Sequence, residues 1–194
     1  PSAFVTTWEG QGKEIVVPFL SNSAQVRYYE KNSAPSNWST PKAYSTDKTS
    51  PNCFKFQADK NKTYVLEIKG QIQRIAMGSG GTNVNGSVDA LLTIEQWGNS
   101  LFQSLNSAFS QCSKLTIPST IKDAPKLLQC TDMTSAFRDC KQLTQVDPGG
   151  IWDVSKVEPM SHTFANAYLF NDPNLSKWNV GRVTTMKNMF LNAE

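Results

Sequence analysis

Histidine is almost missing from this 194-residue chain, which contains only His162. The four cysteines, Cys53, Cys112, Cys130 and Cys140, stand 59, 18 and 10 residues apart, which matches no zinc-ligand spacing. A single imidazole also makes a Cys-His or Ser-His nucleophilic site improbable. We therefore predict no catalytic residues, no metal site and no cofactor, and we expect that the protein is not an enzyme.

Long apolar runs and clusters of basic residues are missing as well. No run of about 18 apolar residues occurs, so we expect no membrane insertion. The formal net charge of +3, from 19 Lys+Arg against 16 Asp+Glu, is too small to indicate nucleic acid as a partner. The chain starts at Pro1 without a visible signal peptide and stops within a repeat unit, so we expect a fragment of a longer protein.

A repeat is what the second half of the chain does contain. Its reference positions are Phe109, Phe137, Phe164 and Phe190, which are 28, 27 and 26 residues apart. We call the segments around them units 1 to 4 and count positions from each phenylalanine. Apolar residues recur in register at positions −12, −7, −4, +3 and +6. Position −4, for example, holds Leu105, Met133, Met160 and Met186. Such columns are typical of repeat proteins whose units share one core.

The spacing of positions −7, −4 and 0 is that of one face of an α-helix. We therefore predict a helix of about two turns in each unit, at Phe102–Phe109, Cys130–Phe137, Val157–Phe164 and Val183–Phe190. The apolar segments that follow the first two, Leu115–Ile117 and Leu143–Val146, are interpreted as strands. One helix and one strand per unit predict a leucine-rich-type α/β solenoid over residues 91–194, with about four units and the last one incomplete.

Residues 1–90 lack this period and are rich in Ser, Thr, Asn, Gly and Pro. They contain short β-type runs such as Ile15–Phe19 and Thr63–Ile68. The second run places Tyr64, Leu66 and Ile68 on one face of a strand. Several short strands separated by turn residues predict a small antiparallel β-sandwich. The predicted fold class is thus α+β, with a sandwich domain at 1–90 and the repeats at 91–194.

The last two units contain Trp152–Val157 followed by Met160 and Phe164, and Trp178–Phe190. These segments resemble the repeat of BspA-like leucine-rich-repeat bacterial surface proteins. The segment Phe170–Trp178 resembles the stretch between two such repeats. The first two units depart from the pattern, since Pro125 replaces the tryptophan in unit 2. The resemblance implies a secreted or surface-anchored protein, often an adhesin, with an extracellular or cell-surface location and no catalytic residues.

Two residue columns have a structural and a functional interpretation. Trp97, Trp152 and Trp178 could stack on carbohydrate, but their fixed repeat position favours a place in the core. Cys112 and Cys140 share position +3, where a disulfide is possible in an oxidising compartment. Because Ala167 and Ala193 occupy the same position, small buried thiols are favoured over a disulfide.

Two kinds of function remain open. The first is an adhesin or protein-binding module whose partner is a host or neighbouring-cell surface protein. For it we predict a polar row of outward side chains beside the inward leucines, made of Lys114, Thr116, Gln142 and Thr144. The alternative is a glycan-binding module that uses the sandwich face around Tyr28 and Trp38, with the repeats as a stalk.

Overall fold

The computed structural model describes residues 2–21, 23–38, 52–78 and 86–194, except for the side chains of Asn52 and Cys53. Seven strands occur in these residues. They are β1 (Phe4–Glu9), β2 (Lys13–Leu20), β3 (Gln25–Glu30), β4 (Asn52–Ala58), β5 (Thr63–Lys69), β6 (Arg74–Ile75) and β7 (Leu91–Gln96). One sheet has the order β3-β5-β1-β7 and the other the order β4-β2-β6, and all the pairs are antiparallel.

The two sheets pack against each other through alternate side chains of their strands. On β5 the predicted inward face is confirmed, because Tyr64, Leu66 and Ile68 are all buried. Tyr28 of the first sheet stacks on Phe56 of the second with ring centroids 4.5 Å apart. Phe56 also meets the ring of Tyr64 at 5.7 Å. These aromatic contacts join the sheets into one core.

The strand β7 begins directly after the predicted domain boundary at residue 90, yet it completes the first sheet. It pairs with β1, for instance Thr7 with Thr93. Its buried residue Ile94 belongs to a hydrophobic cluster that continues into the repeats. The division into domains at 1–90 and 91–194 stays a prediction, but the core is shared across that boundary.

The predicted fold class, α+β with a leucine-rich-type α/β solenoid, is wrong. No α-helix occurs in the described residues, and one 3-10 helix lies at Pro173–Lys177. The four segments predicted as helices consist mainly of turns, and Leu115–Ile117 and Leu143–Val146 are not strands. An isolated parallel bridge between Thr93 and Thr116 stands in their place. The described residues are strands, turns and irregular segments, with the one short 3-10 helix.

The backbone of each unit cannot be helical because two of its residues have positive φ. These residues are at positions −2 and +2, and their φ values lie between 53° and 69°. They are Ser107, Gln111, Ser135, Asp139, His162, Asn166, Asn188 and Asn192. A right-handed helix requires negative φ at every residue, whereas Asn and Asp tolerate the left-handed region better than other L-residues. Each unit is therefore a series of tight turns.

Hydrogen bonds divide the backbone groups of a unit into two alternating sets. The N–H groups at positions −4, −2, 0 and +2 donate to carbonyls of the next unit, as Phe137 N–H does to Thr163 at 2.9 Å. Those at −1, +1 and +3 close turns within the unit, as Cys140 N–H does with the carbonyl of Phe137 at 3.2 Å. Since both sets are satisfied in units 1 to 3, the turns stack in parallel without forming a helix.

The four reference phenylalanines form a stack along this array. Ring centroids are 5.4 Å apart for Phe109 and Phe137, 5.8 Å for Phe137 and Phe164, and 5.7 Å for Phe164 and Phe190. The predicted column is confirmed for stacking and for the burial of the first three rings. Phe190 was expected to be buried too, but 48% of it is exposed.

We expect Phe137→Ala to lower the free energy of unfolding by about 3–5 kcal/mol, because it removes a fully buried ring from between two others. Chemical denaturation of the chain measures this loss. Phe190→Ala is the matched control and should cost clearly less, because half of that ring already contacts solvent. Equal losses for the two variants would contradict the packing described here.

We also expect Asn166→Gly to be more stable than Asn166→Ala, by about 1 kcal/mol. Both variants lose the same side-chain hydrogen bonds, but only glycine adopts the φ of 59° at this position without strain. In an α-helix the order would be reversed, with alanine more stable by about 1 kcal/mol. The sign of this difference in denaturation experiments thus distinguishes stacked turns from a helix at Asn166.

Candidate binding surface

The predicted row of Lys114, Thr116, Gln142 and Thr144 lies in the loops that follow the turns of units 1 and 2. Lys114 and Gln142 occupy position +5, and Thr116 and Thr144 occupy position +7. Lys114, Gln142 and Thr144 are exposed, whereas Thr116 is half-buried. The structure thus places three of the four predicted side chains at the surface, on equivalent positions of neighbouring units.

The leucines next to the row fix its orientation. Leu115 and Leu143 are fully buried, as predicted. Their N–H groups donate to the carbonyls of Cys112 and Cys140 at 3.0 and 3.1 Å, which closes the last turn of each unit. Burial of a leucine forces its extended neighbours to point away from the core.

Backbone hydrogen bonds hold the loops of successive units side by side. Gln142 N–H donates to the carbonyl of Ser113 at 3.1 Å, and Asn171 N–H donates to the carbonyl of Thr144 at 2.9 Å. Thr116 pairs with β7, since its N–H and its hydroxyl both reach the carbonyl of Leu92, at 2.9 and 3.4 Å. The hydroxyl of Thr116 is therefore committed to the sheet and contributes less to an exposed surface than Thr144 does.

Lys114 also has a partner within the chain. Its ammonium group forms an ion pair with the carboxylate of Glu9 at the end of β1. The hydrogen bond from Lys114 lowers the pKa of Glu9, and the Lys114 charge lowers it further. Both side chains are partly exposed, so the pair is screened and weak. Lys114 joins the repeats to the first sheet as well as standing in the row.

The row continues into unit 3 through residues that the sequence analysis did not include. Leu169 occupies position +5, in line with Lys114 and Gln142, and is 51% exposed. Tyr168, one residue before it, is 42% exposed. The Lys141 ammonium group of unit 2 lies 6.0 Å from the centroid of the Tyr168 ring. Counting position +5 through unit 3 would have found Leu169 from the sequence. We call Gln142, Thr144, Tyr168 and Leu169, with Lys141, the loop surface.

The tryptophans of the repeats are not exposed, which confirms their predicted place in the core. Trp97, Trp152 and Trp178 are at most 7% exposed. Trp178 Nε1 donates to the Asp147 carboxylate at 3.1 Å, and Trp152 stacks on Trp178 at 5.8 Å. Asp147 is completely buried. These rings support the scaffold and leave no face free for a sugar.

Two carboxylates, the buried Asp172 and the half-buried Asp123, bind backbone amides of neighbouring segments. Asp172 accepts the N–H groups of Val146 and Asp147 at 2.9 and 2.8 Å. Asp123 accepts those of Trp97 and Gly98 at 3.0 and 2.8 Å. In both pairs the carboxylate lies about one unit further along the chain. Each carboxylate thus fixes the backbone of the preceding unit by accepting two of its N–H groups, so we assign both a structural role.

The three cysteines with described side chains, Cys112, Cys130 and Cys140, are buried free thiols. This agrees with the preference for thiols over a disulfide at position +3. Burial raises the pKa of Cys130 to about 11 and that of Cys140 well above its ordinary value. The Cys140 thiol donates to the carbonyl of Phe109 at 3.1 Å. Neutral, buried thiols are poor nucleophiles.

The rival surface on the sandwich differs from what was expected. Tyr28 is turned towards the other sheet, where it stacks on Phe56. Trp38 is half-buried, and the Arg27 guanidinium lies 4.4 Å from the centroid of its ring. The sandwich does not present Tyr28 and Trp38 together as an open aromatic platform.

Among the described residues, no group of three or more His, Cys, Asp or Glu residues is placed to hold a metal ion. No helix of the described chain is long and apolar enough to cross a membrane.

Comparison with known proteins identifies one family. No curated protein and no solved structure matches the chain. Residues 103–194, which span the four turn segments, match the family described as "Mycoplasma protein of unknown function, DUF285". The second half of this chain is therefore similar to a bacterial protein family whose function has not been assigned.

Proposed function

We propose that this protein is a non-enzymatic bacterial surface or secreted protein that binds a protein on a host or neighbouring cell. The proposal depends chiefly on one observation: Tyr168 and Leu169 extend the predicted polar row as exposed apolar side chains. The BspA-like resemblance of units 3 and 4 implies a surface protein of the adhesin type. The family match over residues 103–194 supports only the likeness to a bacterial protein family of unassigned function.

The loop surface combines the features of a protein-binding site. Tyr168 and Leu169 offer apolar area at its centre, while Gln142 and Thr144 offer hydrogen-bonding groups beside them. Protein interfaces commonly pair an apolar anchor, often tyrosine, with a polar rim. Adjacent exposed apolar residues that are rimmed by polar ones also mark interaction sites on soluble proteins.

The scaffold beneath this surface reduces the cost of binding. Backbone hydrogen bonds between units fix the carbonyls of Ser113 and Thr144, and the buried Leu143 anchors the chain between Gln142 and Thr144. Side chains carried by a fixed backbone lose less conformational freedom when a partner binds. Lys141 is the charged residue of the loop surface. We therefore expect the affinity for a partner protein to depend more on apolar contacts and hydrogen bonds than on charge.

The alternative is a glycan-binding module with the repeats as a stalk, and the geometry favours it less. Sugar binding uses the open face of an aromatic ring, but the half-buried Tyr28 stacks on Phe56 and Arg27 lies over the Trp38 ring. Deletion of residues 1–90 would not separate the two functions cleanly, because β1 pairs with β7 and the core is shared.

We expect the double variant Gln142→Arg, Thr144→Arg to reduce attachment of beads coated with the chain to cultured animal cells. A loss of about tenfold or more corresponds to about 1.4 kcal/mol, the scale of one important interface contact. Both side chains are exposed and make no side-chain hydrogen bond with any described residue, so the fold should persist. Circular dichroism and denaturation check this on the same samples.

The chain provides a matched control in Gln129→Arg, Thr131→Arg, which changes the same two residue types at the same spacing. Gln129 and Thr131 are exposed at positions −8 and −6, before the turns of unit 2. This control should attach like the parent chain. Protease treatment of the cells should abolish attachment if the partner is a protein. Full attachment by the loop-surface variant, with loss after glycosidase treatment instead, would favour the glycan alternative.

A further inference from the structure

Two of the four cysteines occupy the same position of adjacent units. Cys112 and Cys140 both stand at position +3, where units 3 and 4 have Ala167 and Ala193. Both thiols are free and fully buried. The third described thiol, Cys130, stands at position −7 instead. The core between units 1 and 2 therefore contains one pair of thiols in a single column.

The Cys140 thiol is directed towards the turn that ends at Cys112. Its sulfur donates to the carbonyl of Phe109 at 3.1 Å, and the same carbonyl accepts the N–H of Cys112 at 3.1 Å. Burial raises the pKa of Cys140, the Cys112 charge raises it further, and the Cys112 N–H lowers it. Both the charge and the backbone of Cys112 thus act on the Cys140 sulfur, which makes the two cysteines direct neighbours.

Hydrogen bonds between units 1 and 2 fix the backbone spacing on both sides of position +3. Before it, Gln111 N–H donates to the carbonyl of Arg138 at 2.7 Å. After it, Gln142 N–H donates to the carbonyl of Ser113 at 3.1 Å. Extended backbones joined in this way lie about 4.8 Å apart. A disulfide connects Cα atoms that are about 4.4–6.8 Å apart, so this spacing suits one.

We propose that Cys112 and Cys140 form a redox-sensitive disulfide between units 1 and 2, with a small disulfide such as oxidised glutathione as the oxidant. The bond joins the two turns that the N–H groups of Leu115 and Leu143 close. It constrains the backbone next to Gln142, so it stabilises the scaffold of the loop surface. This cross-link does not require that the loop surface binds a partner.

The reaction requires the two units to open, because a buried neutral thiol does not attack a disulfide. In the opened chain one cysteine loses its proton to water, and its thiolate attacks a sulfur of oxidised glutathione. The glutathione S–S bond breaks, a mixed disulfide forms and one glutathione thiolate leaves. The second cysteine thiolate then attacks the cysteine sulfur of the mixed disulfide and releases the other glutathione. Two protein thiols are thus oxidised, and one glutathione disulfide is reduced to two thiols that take up the two protons.

The experiment refolds the reduced chain 1–194 from urea in a buffer that contains oxidised and reduced glutathione. Remaining thiols are then blocked with iodoacetamide and the chain is digested with trypsin. Trypsin places Cys112, Cys130 and Cys140 on different peptides, because Lys126 and Arg138 lie between them. We expect mass spectrometry to find Cys112 linked to Cys140 in most chains, with Cys130 alkylated.

Oxidation of the same chain in urea is the control for chance pairing. The separations of Cys130–Cys140, Cys112–Cys130 and Cys112–Cys140 are 10, 18 and 28 residues. Short loops close more readily in an unfolded chain, so the first two links should exceed the third in urea. The same distribution after refolding overturns the proposal, and so does the absence of a disulfide or a predominant link to Cys130 or Cys53.

Two variants and a stability measurement complete the test. Cys140→Ala should lose the disulfide and keep the fold, because alanine occupies position +3 in units 3 and 4. Cys130→Val should keep the disulfide, because valine occupies position −7 in those units. In urea denaturation, the cross-linked parent chain should have an unfolding equilibrium constant on the order of a hundredfold smaller than after reduction with dithiothreitol, since the closed loop constrains the unfolded chain. A cross-linked chain that is less stable than the reduced one contradicts the proposal, because the stacked turns then do not accommodate the bond.

Discussion

The alternation of backbone hydrogen bonds in the repeats is the constraint on which the second half of the structure depends. A residue at position 0 donates to the next unit and accepts from within its own, whereas its neighbours donate within their own unit and accept from the previous one. This is possible only because positions −2 and +2 adopt positive φ, which turns successive amides in alternate directions. The stack is thus stabilised by backbone groups that an α-helix would have used internally. The apolar columns then add burial on one side of every turn.

Side chains reinforce the same arrangement at the residues with positive φ. Asn192 Nδ2 donates to Asn166 Oδ1 at 2.8 Å, and Asn166 Nδ2 donates to Asp139 Oδ1 at 2.7 Å. Asparagine and aspartate at position +2 therefore serve twice, since they tolerate the left-handed backbone and form a ladder along the stack. A residue chosen for helix propensity would meet neither requirement.

The sequence predicted the burial pattern of the repeats better than their backbone. Spacing alone predicted three buried features, because burial is periodic whatever the local conformation. They are the Phe109–Phe137–Phe164 column, the inward Leu115 and Leu143, and the inward face of β5. The helices were wrong because a series of tight turns can repeat apolar residues at the same i, i+3, i+7 spacing. The signal that separates the two was present: Asp139, Asn166 and Asn192 share one column, and such residues favour turns over helix interiors.

The candidate surface was predictable to a similar degree. Gln142 and Thr144 were found because an alternating segment places polar neighbours of a buried leucine outside. Leu169 and Tyr168 were missed because exposed apolar residues look like core residues in a sequence, and only the accessible surface distinguishes them. The role of Thr116 depended on its contact with Leu92 of β7, a strand that the sequence analysis did not predict. Long-range pairing of this kind leaves no local pattern.

Backbone hydrogen bonds also explain why the two halves of the chain belong together. The segment 73–78 covers carbonyls of unit 1 that face away from unit 2, and Met77 N–H donates to the carbonyl of Ala108 at 2.9 Å. The pairing of β1 with β7 holds the sandwich next to unit 1. The Glu9–Lys114 ion pair adds a second connection, from the end of β1 to unit 1. The sandwich is therefore a structural cap for the repeats, irrespective of any ligand it binds. The units that carry the loop surface stack on unit 1, which this cap covers.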